Sequence, residues 1–259
     1  MTESRALTGS AELIASVAED RRLTTAFMTW VKICGITNLE DALVAVEAGA
    51  DAVGFVFYKK SPRRVSKDAA REIVSVMTSK IERIGVFVDG EDALFNETAK
   101  EVGLSGLQVH VGSQSADNPT VSALPPGLNR YLVLPVRRFL NEDYSFDSFA
   151  VSARNEKTSE CATALFLDSG TADQPGGTGR VFDWKAAIPI AGCISDAGWR
   201  LVVAGGLTPE NVGEAMGILH PWGVDVSSGV EAKPGKKDPD KVRAFVKAVR
   251  DADEANSRN

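Results

Sequence analysis

Eight short runs dense in Val, Ile, Leu and Phe recur along this 259-residue chain, each followed by a stretch of helical or turn character. They fall near residues 31–34, 52–57, 83–88, 106–110, 130–136, 164–168, 200–204 and 223–227. Several are apolar throughout rather than alternating, the pattern of strands buried on both faces. Between the first two runs, Leu39, Ala42, Leu43 and Val46 fall on one helical face, and Gly49 makes a natural stop. Asn38 is placed to cap that helix, with Asp41 at the capping-box position three residues on.

Similar helical units are expected over 66–77, 92–102, 182–191, 209–219 and 238–251, with Ser66, Thr208 and Asp238 as caps. Eight strands alternating with helices over about 230 residues predict the α/β class and a single (β/α)8 TIM barrel spanning residues 30–252. An open doubly wound sheet is the rival, because alternation alone does not close a barrel. Two regions fit less well. Residues 113–129 contain Pro119, Pro125 and Pro126, so the fourth helix is expected to be short or irregular. Residues 1–29 precede the first strand as an N-terminal extension, either a helix with Leu13, Ile14 and Val17 on one side or a flexible leader. The polar tail 253–259 is expected to be disordered.

Composition narrows the function classes. A net charge of −6 argues against a nucleic-acid partner held by phosphate contacts. No run of about 18 apolar residues is present to span a membrane. The start lacks the apolar core of a secretory signal, which makes the cytoplasm the default location. Three widely spaced cysteines and only two histidines offer neither a disulfide framework nor a zinc site. The chemistry is expected to need no metal.

In a barrel the active site lies at the C-terminal ends of the strands and in the loops beyond. Parity then says which side chains point inward. In the first run Val31 and Ile33 suit the helix layer, leaving Lys32 and Cys34 to face the barrel interior. A buried cysteine is ordinarily inert packing, so its position alone does not make it catalytic. The sixth run ends abruptly in Asp168, which reads as a turn cap or as an acid–base group. The glycine-rich stretch 169–180 after it reads as a mobile cover or a flexible turn. After the seventh and eighth runs, Gly205, Gly206, Ser227, Ser228 and Gly229 supply small residues and hydroxyls suited to an anion, where this fold usually binds phosphate. Asp225 shares parity with Ser227, and Lys32 on the adjacent first strand is its candidate partner. Arg63 follows the second strand, as a cation at the mouth or a solvated surface charge.

Together these segments resemble phosphoribosylanthranilate isomerase. The likeness is carried by Lys32-Ile33-Cys34-Gly35-Ile36-Thr37, by Ser61-Pro62-Arg63, by Leu107-Gln108-Val109-His110, by Phe182-Asp183-Trp184, and by Asp225-Val226-Ser227-Ser228-Gly229-Val230-Glu231. The resemblance implies an Amadori rearrangement in L-tryptophan biosynthesis. Its small-molecule substrate is N-(5′-phosphoribosyl)anthranilate and its product 1-(o-carboxyphenylamino)-1-deoxyribulose 5-phosphate, with no cofactor. On that likeness Asp168 is the general acid, Cys34 the general base, and Arg63 the holder of the anthranilate end. The backbone around Gly206, Ser228 and Gly229 takes the phosphate, with Asp225 and Ser227 beside the substrate. One proton given and one removed suit such a pair. A thiol titrates near 8.5, so the base role needs a stabilised thiolate, to which Lys32 is expected to contribute. Val111 departs from the family, which usually places Gly directly after the histidine. Some relatives are fused to indole-glycerol-phosphate synthase, which leaves residues 1–29 open as a linker remnant. The sister isomerase of histidine biosynthesis places aspartates in both catalytic positions, so Cys34 favours the anthranilate substrate. A catalytically silent phosphate-binding scaffold is the rival from another class.

Overall fold

Strands and helices alternate along the chain in the computed structural model, which describes residues 28–78, 80–88, 95–110, 127–140, 162–170 and 179–257. The strands are β1 (Trp30–Cys34), β2 (Ala52–Val56), β3 (Glu82–Val88), β4 (Gly106–His110), β5 (Asn129–Pro135), β6 (Ala164–Asp168), β7 (Leu201–Val203) and β8 (Gly223–Val226). All eight run parallel, and β8 pairs back onto β1, so the sheet closes into a barrel rather than opening as a doubly wound sheet. Closure sets Lys32 opposite Asp225 on one side of β1, and Cys34 opposite Gly54 on the other. The helices are α1 (Leu39–Ala48), α2 (Lys67–Ser75), α3 (Phe95–Val102), α4 (Arg137–Leu140), α5 (Ile188–Asp196), α6 (Val212–Leu219) and α7 (Pro239–Asn256). After β8 come a single 3-10 turn (Ser228–Val230) and a small antiparallel ribbon, β9 (Glu231–Lys233) with β10 (Lys236–Lys237).

Local chemistry accounts for several helix ends. The Asn38 side chain accepts from the Asp41 N–H at 2.9 Å, and Gly49 ends α1 in the left-handed region at φ 95°. Ser66 and Asp238 cap α2 and α7 in the same way. Thr208 does not cap α6. Its N–H donates instead to Asn211 Oδ1 at 2.8 Å, and the helix begins only at Val212. The helix expected over 182–191 also starts late, at Ile188, where Pro189 suits the first turn.

The chain end departs from expectation. The last helix runs to Asn256, through the first half of the tail expected to be disordered. Asp253 is tied down by Thr29, whose N–H and hydroxyl donate to it at 3.1 and 2.5 Å, and by Arg250. Arg250 in turn donates to the Thr29 carbonyl at 2.6 Å. The stretch 1–27 and most of 113–129 lie outside the described residues.

Apolar packing separates into an outer shell and an inner plug. Val31, Ile33, Val53, Leu165 and Val224 face the helices. Inside the barrel, Trp30 stacks on Tyr131 and Trp222, and Phe166 meets both Trp30 and Tyr131 edge-on. This aromatic floor fills the barrel below Lys32. Among the described residues, no helix is long and apolar enough to cross a membrane.

Candidate active site

Lys32 lies above the aromatic floor, with no solvent exposure and its Nζ 5.6 Å from the Phe166 ring centre. Leaving an ammonium there unpaired would be costly, and Asp225 Oδ1 receives it at 2.9 Å. Burial alone would lower the Lys32 pKa. Asp225 and Cys34 outweigh that, and the amine is held above its usual value.

Cys34 sits one inward position higher on β1, between Val56 and Val86. Room for it comes from Gly54, where a Cβ would approach the Cys34 sulfur to 2.8 Å and the Lys32 amine to 3.0 Å. Burial pushes the Cys34 thiol above its ordinary value. Lys32 pulls down, but Asp225, which already neutralises that lysine, pushes up again. The expected stabilisation of the thiolate by Lys32 is therefore outweighed in the resting site.

Asp168 ends β6 and is also buried, accepting the Gly170 N–H at 2.6 Å. Burial raises its carboxyl pKa to about 6, and the Gly170 bond only partly opposes this. Burial thus favours the protonated form of both groups in one cavity, which suits Asp168 as a proton donor and leaves Cys34 an acceptor only when its thiolate forms. That cavity opens to solvent at the C-terminal ends of the strands.

Cys34, Asp168, Arg63, Gly206, Asp225, Ser227 and Ser228 all line it. Gly229 does not. Its α-carbon packs against the Leu207 carbonyl, where a Cβ would overlap the oxygen. Gly206, at φ 70°, makes a similar backbone contact with Arg180. Asp225 lines the wall while its Oδ1 is engaged by Lys32. Arg63 is no solvated surface charge, since it is buried in a two-bond pair with Glu231.

Sequence reasoning passed over His110, which lines the same cavity from the end of β4. Burial, aided by the Lys32 charge, lowers its pKa to about 4 and keeps the imidazole neutral near pH 7. Strand parity was the available signal, because Gln108 and His110 alternate with the outward Leu107 and Val109.

The family model described as N-(5′-phosphoribosyl)anthranilate isomerase matches residues 31–248. The N-(5′-phosphoribosyl)anthranilate isomerase of Pelobacter propionicus is 41% identical over 231 residues, covering 89% of this chain and all of that protein. Among solved structures, the phosphoribosyl anthranilate isomerase of Thermotoga maritima superposes with a TM-score of 0.70 at 38% identity, over 86% of this chain and all of that one. A phosphoribosyl anthranilate isomerase in complex with reduced 1-(o-carboxyphenylamino)-1-deoxyribulose 5-phosphate gives 0.67 at 36% identity, again over 86% of this chain and all of that one. With the family model matched over residues 31–248 and relatives about 40% identical along nearly their whole length, this chain belongs to the N-(5′-phosphoribosyl)anthranilate isomerase family.

Proposed function

We propose that this chain converts N-(5′-phosphoribosyl)anthranilate to 1-(o-carboxyphenylamino)-1-deoxyribulose 5-phosphate, with Asp168 as general acid and Cys34 as general base. The observation that carries the division of labour is the placement of these two buried groups in the wall of one cavity, on β6 and β1. Protonated Asp168 gives its proton to the ribose ring oxygen as the C1–O bond breaks and the anilino nitrogen forms the C1=N bond. Cys34, as thiolate, takes the proton from C2, and the electron pair moves to give an enolamine. Proton return to C1 with loss of the C2 hydroxyl proton yields the ketone, so protons balance and no redox partner is needed.

Lys32 stays charged throughout and keeps Asp225 paired, so neither competes for the transferred protons. Arg63 holds the anthranilate carboxylate, and the loops carrying Gly206, Ser227 and Ser228 receive the phosphate. Gly229 supports that role from behind the wall, through its packing on Leu207. The direct test is an assay of purified chain with freshly formed N-(5′-phosphoribosyl)anthranilate, following loss of anthranilate-type fluorescence. No turnover in a folded sample would leave the silent phosphate-binding scaffold. Preference for the aminoimidazole substrate of histidine biosynthesis would point to the sister activity, against which Cys34 speaks. Cytoplasmic location is the reading that suits a phosphorylated metabolite. Descent of residues 1–29 from a fusion with indole-glycerol-phosphate synthase rests on the family resemblance alone.

A further inference from the structure

Glu231 begins the β9 ribbon and is 8% exposed, and its carboxylate accepts from three different residues. Arg63 donates to it twice, Nε to Oε1 and Nη2 to Oε2, each at 2.8 Å. Lys237, fully buried, donates to the same Oε1 at 3.1 Å and also to the Ser227 carbonyl at 3.0 Å. The Gly235 N–H adds a bond at 3.2 Å. Burial on its own would raise the Glu231 pKa, but the two cations outweigh it and keep the carboxylate ionised.

Arg63 and Lys237 thus converge on the one Glu231 carboxylate in this buried cluster. The guanidinium offers five N–H donors in a planar fork. Glu231 occupies the Nε edge, so the outer edge, with Nη1 and the second Nη2 hydrogen, is directed away from it. Arg63 lines the cavity and Glu231 does not, which means the acid grips the arginine from behind. Gly35, at φ 80°, lets the Arg63 stem lie close, since a Cβ there would come within 2.8 Å of Arg63 Cδ. The free edge matches the geometry of a second carboxylate.

We propose that Glu231 is a positioning residue. It locks the Arg63 guanidinium so that its outer edge faces the substrate carboxylate, and through Lys237 it ties that arginine to the Ser227 backbone beside the phosphate-side loop. The inference rests on the reading of Arg63 as the holder of the anthranilate carboxylate. Preorganisation of this kind removes an ordering cost from binding and should act mainly on KM.

The experiment compares two substrates, N-(5′-phosphoribosyl)anthranilate and the aniline analogue lacking the ortho carboxylate. Each is assayed with Glu231→Gln, Glu231→Asp and Arg63→Gln. Glu231→Gln should raise KM for the carboxylated substrate about tenfold, the scale of one charge-assisted hydrogen bond, with kcat within a few-fold. The aniline analogue should show no comparable change, and Glu231→Asp, which keeps the charge but shortens the reach, should fall between. Equal losses on both substrates, or a loss in kcat alone, would overturn the proposal. If Arg63→Gln itself treats the two substrates alike, the reading of Arg63 fails and the inference with it. If Arg63→Gln discriminates and neither Glu231 variant does, only the positioning role is rejected. Should Glu231→Gln not fold, Glu231→Asp carries the same comparison, and failure of both to fold would show that the residue serves the fold instead.

Discussion

Burial acts on Asp168 and Cys34 in the same chemical direction, favouring the neutral form of each, but with opposite consequences for catalysis. For Asp168 it raises the carboxyl to about 6 and preserves the proton it has to give. For Cys34 it raises the thiol above its usual range and withholds the thiolate that has to act. The competent form, acid protonated and thiol ionised, is then a minority species at neutral pH. Its abundance has a definite pH dependence. Below about pH 6 the rate should climb with pH as thiolate forms; above that, each gain in thiolate is cancelled by loss of the Asp168 proton, giving a plateau. In kcat/KM profiles, which report the free enzyme, Asp168→Asn should abolish the plateau, so that the residual rate keeps rising until Cys34 ionises. Alkylation of Cys34 by iodoacetamide should titrate above the ordinary thiol range, and a neutral titration would contradict the burial argument. Both Cys34→Ala and Asp168→Asn should lower kcat by at least about 10²-fold with the fold kept, the scale of one lost acid or base. Near-normal turnover in either variant would remove that residue from the mechanism.

At the scale of elements, the loops after β7 and β8 owe their glycines first to backbone packing. Gly229 lies against the Leu207 carbonyl and Gly206 against the Arg180 backbone, so the turns after β7 and β8 interlock with each other and with the loop after β6. Gly229→Ala should therefore cost on the order of 1–3 kcal/mol, as overpacked sites do, and weaken inhibition by inorganic phosphate at the same time. Urea melts and phosphate competition measure the two effects. Weakened phosphate binding without lost stability would show that Leu207 can yield. This coupling was not legible in the sequence, where small residues beside a phosphate loop signal only close approach of an anion. What periodicity did reveal was the position of the strands along the chain and the inward parity of Lys32, Cys34 and Asp225, because one strand's alternation is a local property. The Lys32–Asp225 pair followed once β1 and β8 were taken as neighbours. Glu231, by contrast, meets Arg63 across 168 positions of sequence, and no local pattern marks such a meeting. Gly54 reads as an ordinary small strand residue until Cys34 is seen packed over it. Helix starts at α5 and α6 were misplaced because a turn ahead of a helix carries the same residue types as its first turn.

For the whole molecule, the decisive step is the closure of β8 onto β1, and the chain ends reinforce it from outside. Trp30 pairs with Gly223 at the base of that seam, and its N–H donates to the Trp222 carbonyl at 3.0 Å. Just before it, Thr29 is held by Asp253 and Arg250 of α7, which also packs on α1 and α6. Arg250 reaches further to Asp51 at 3.4 Å, and Asp51 accepts the Val31 N–H at 2.9 Å. The last helix is thus fastened to the entry of the first strand, so the point at which an N-terminal truncation is made should matter. A chain beginning at Met28 keeps every one of these bonds and is expected to match the full-length protein in kcat/KM. A chain beginning at Trp30 loses Thr29, leaving the partly buried Asp253 and Arg250 without the partner between them. The cost should be about 1–3 kcal/mol, the scale of leaving buried hydrogen-bonding groups unmatched. That corresponds to several degrees in Tm, with activity at low temperature little changed because the cavity lies at the opposite end of the barrel. Thermal melts of the two truncations beside full-length protein make the comparison. Equal melting of both would show that Thr29 contributes nothing to the seam. A loss of stability already at Met28 would assign residues 1–27 a structural task in covering the barrel floor.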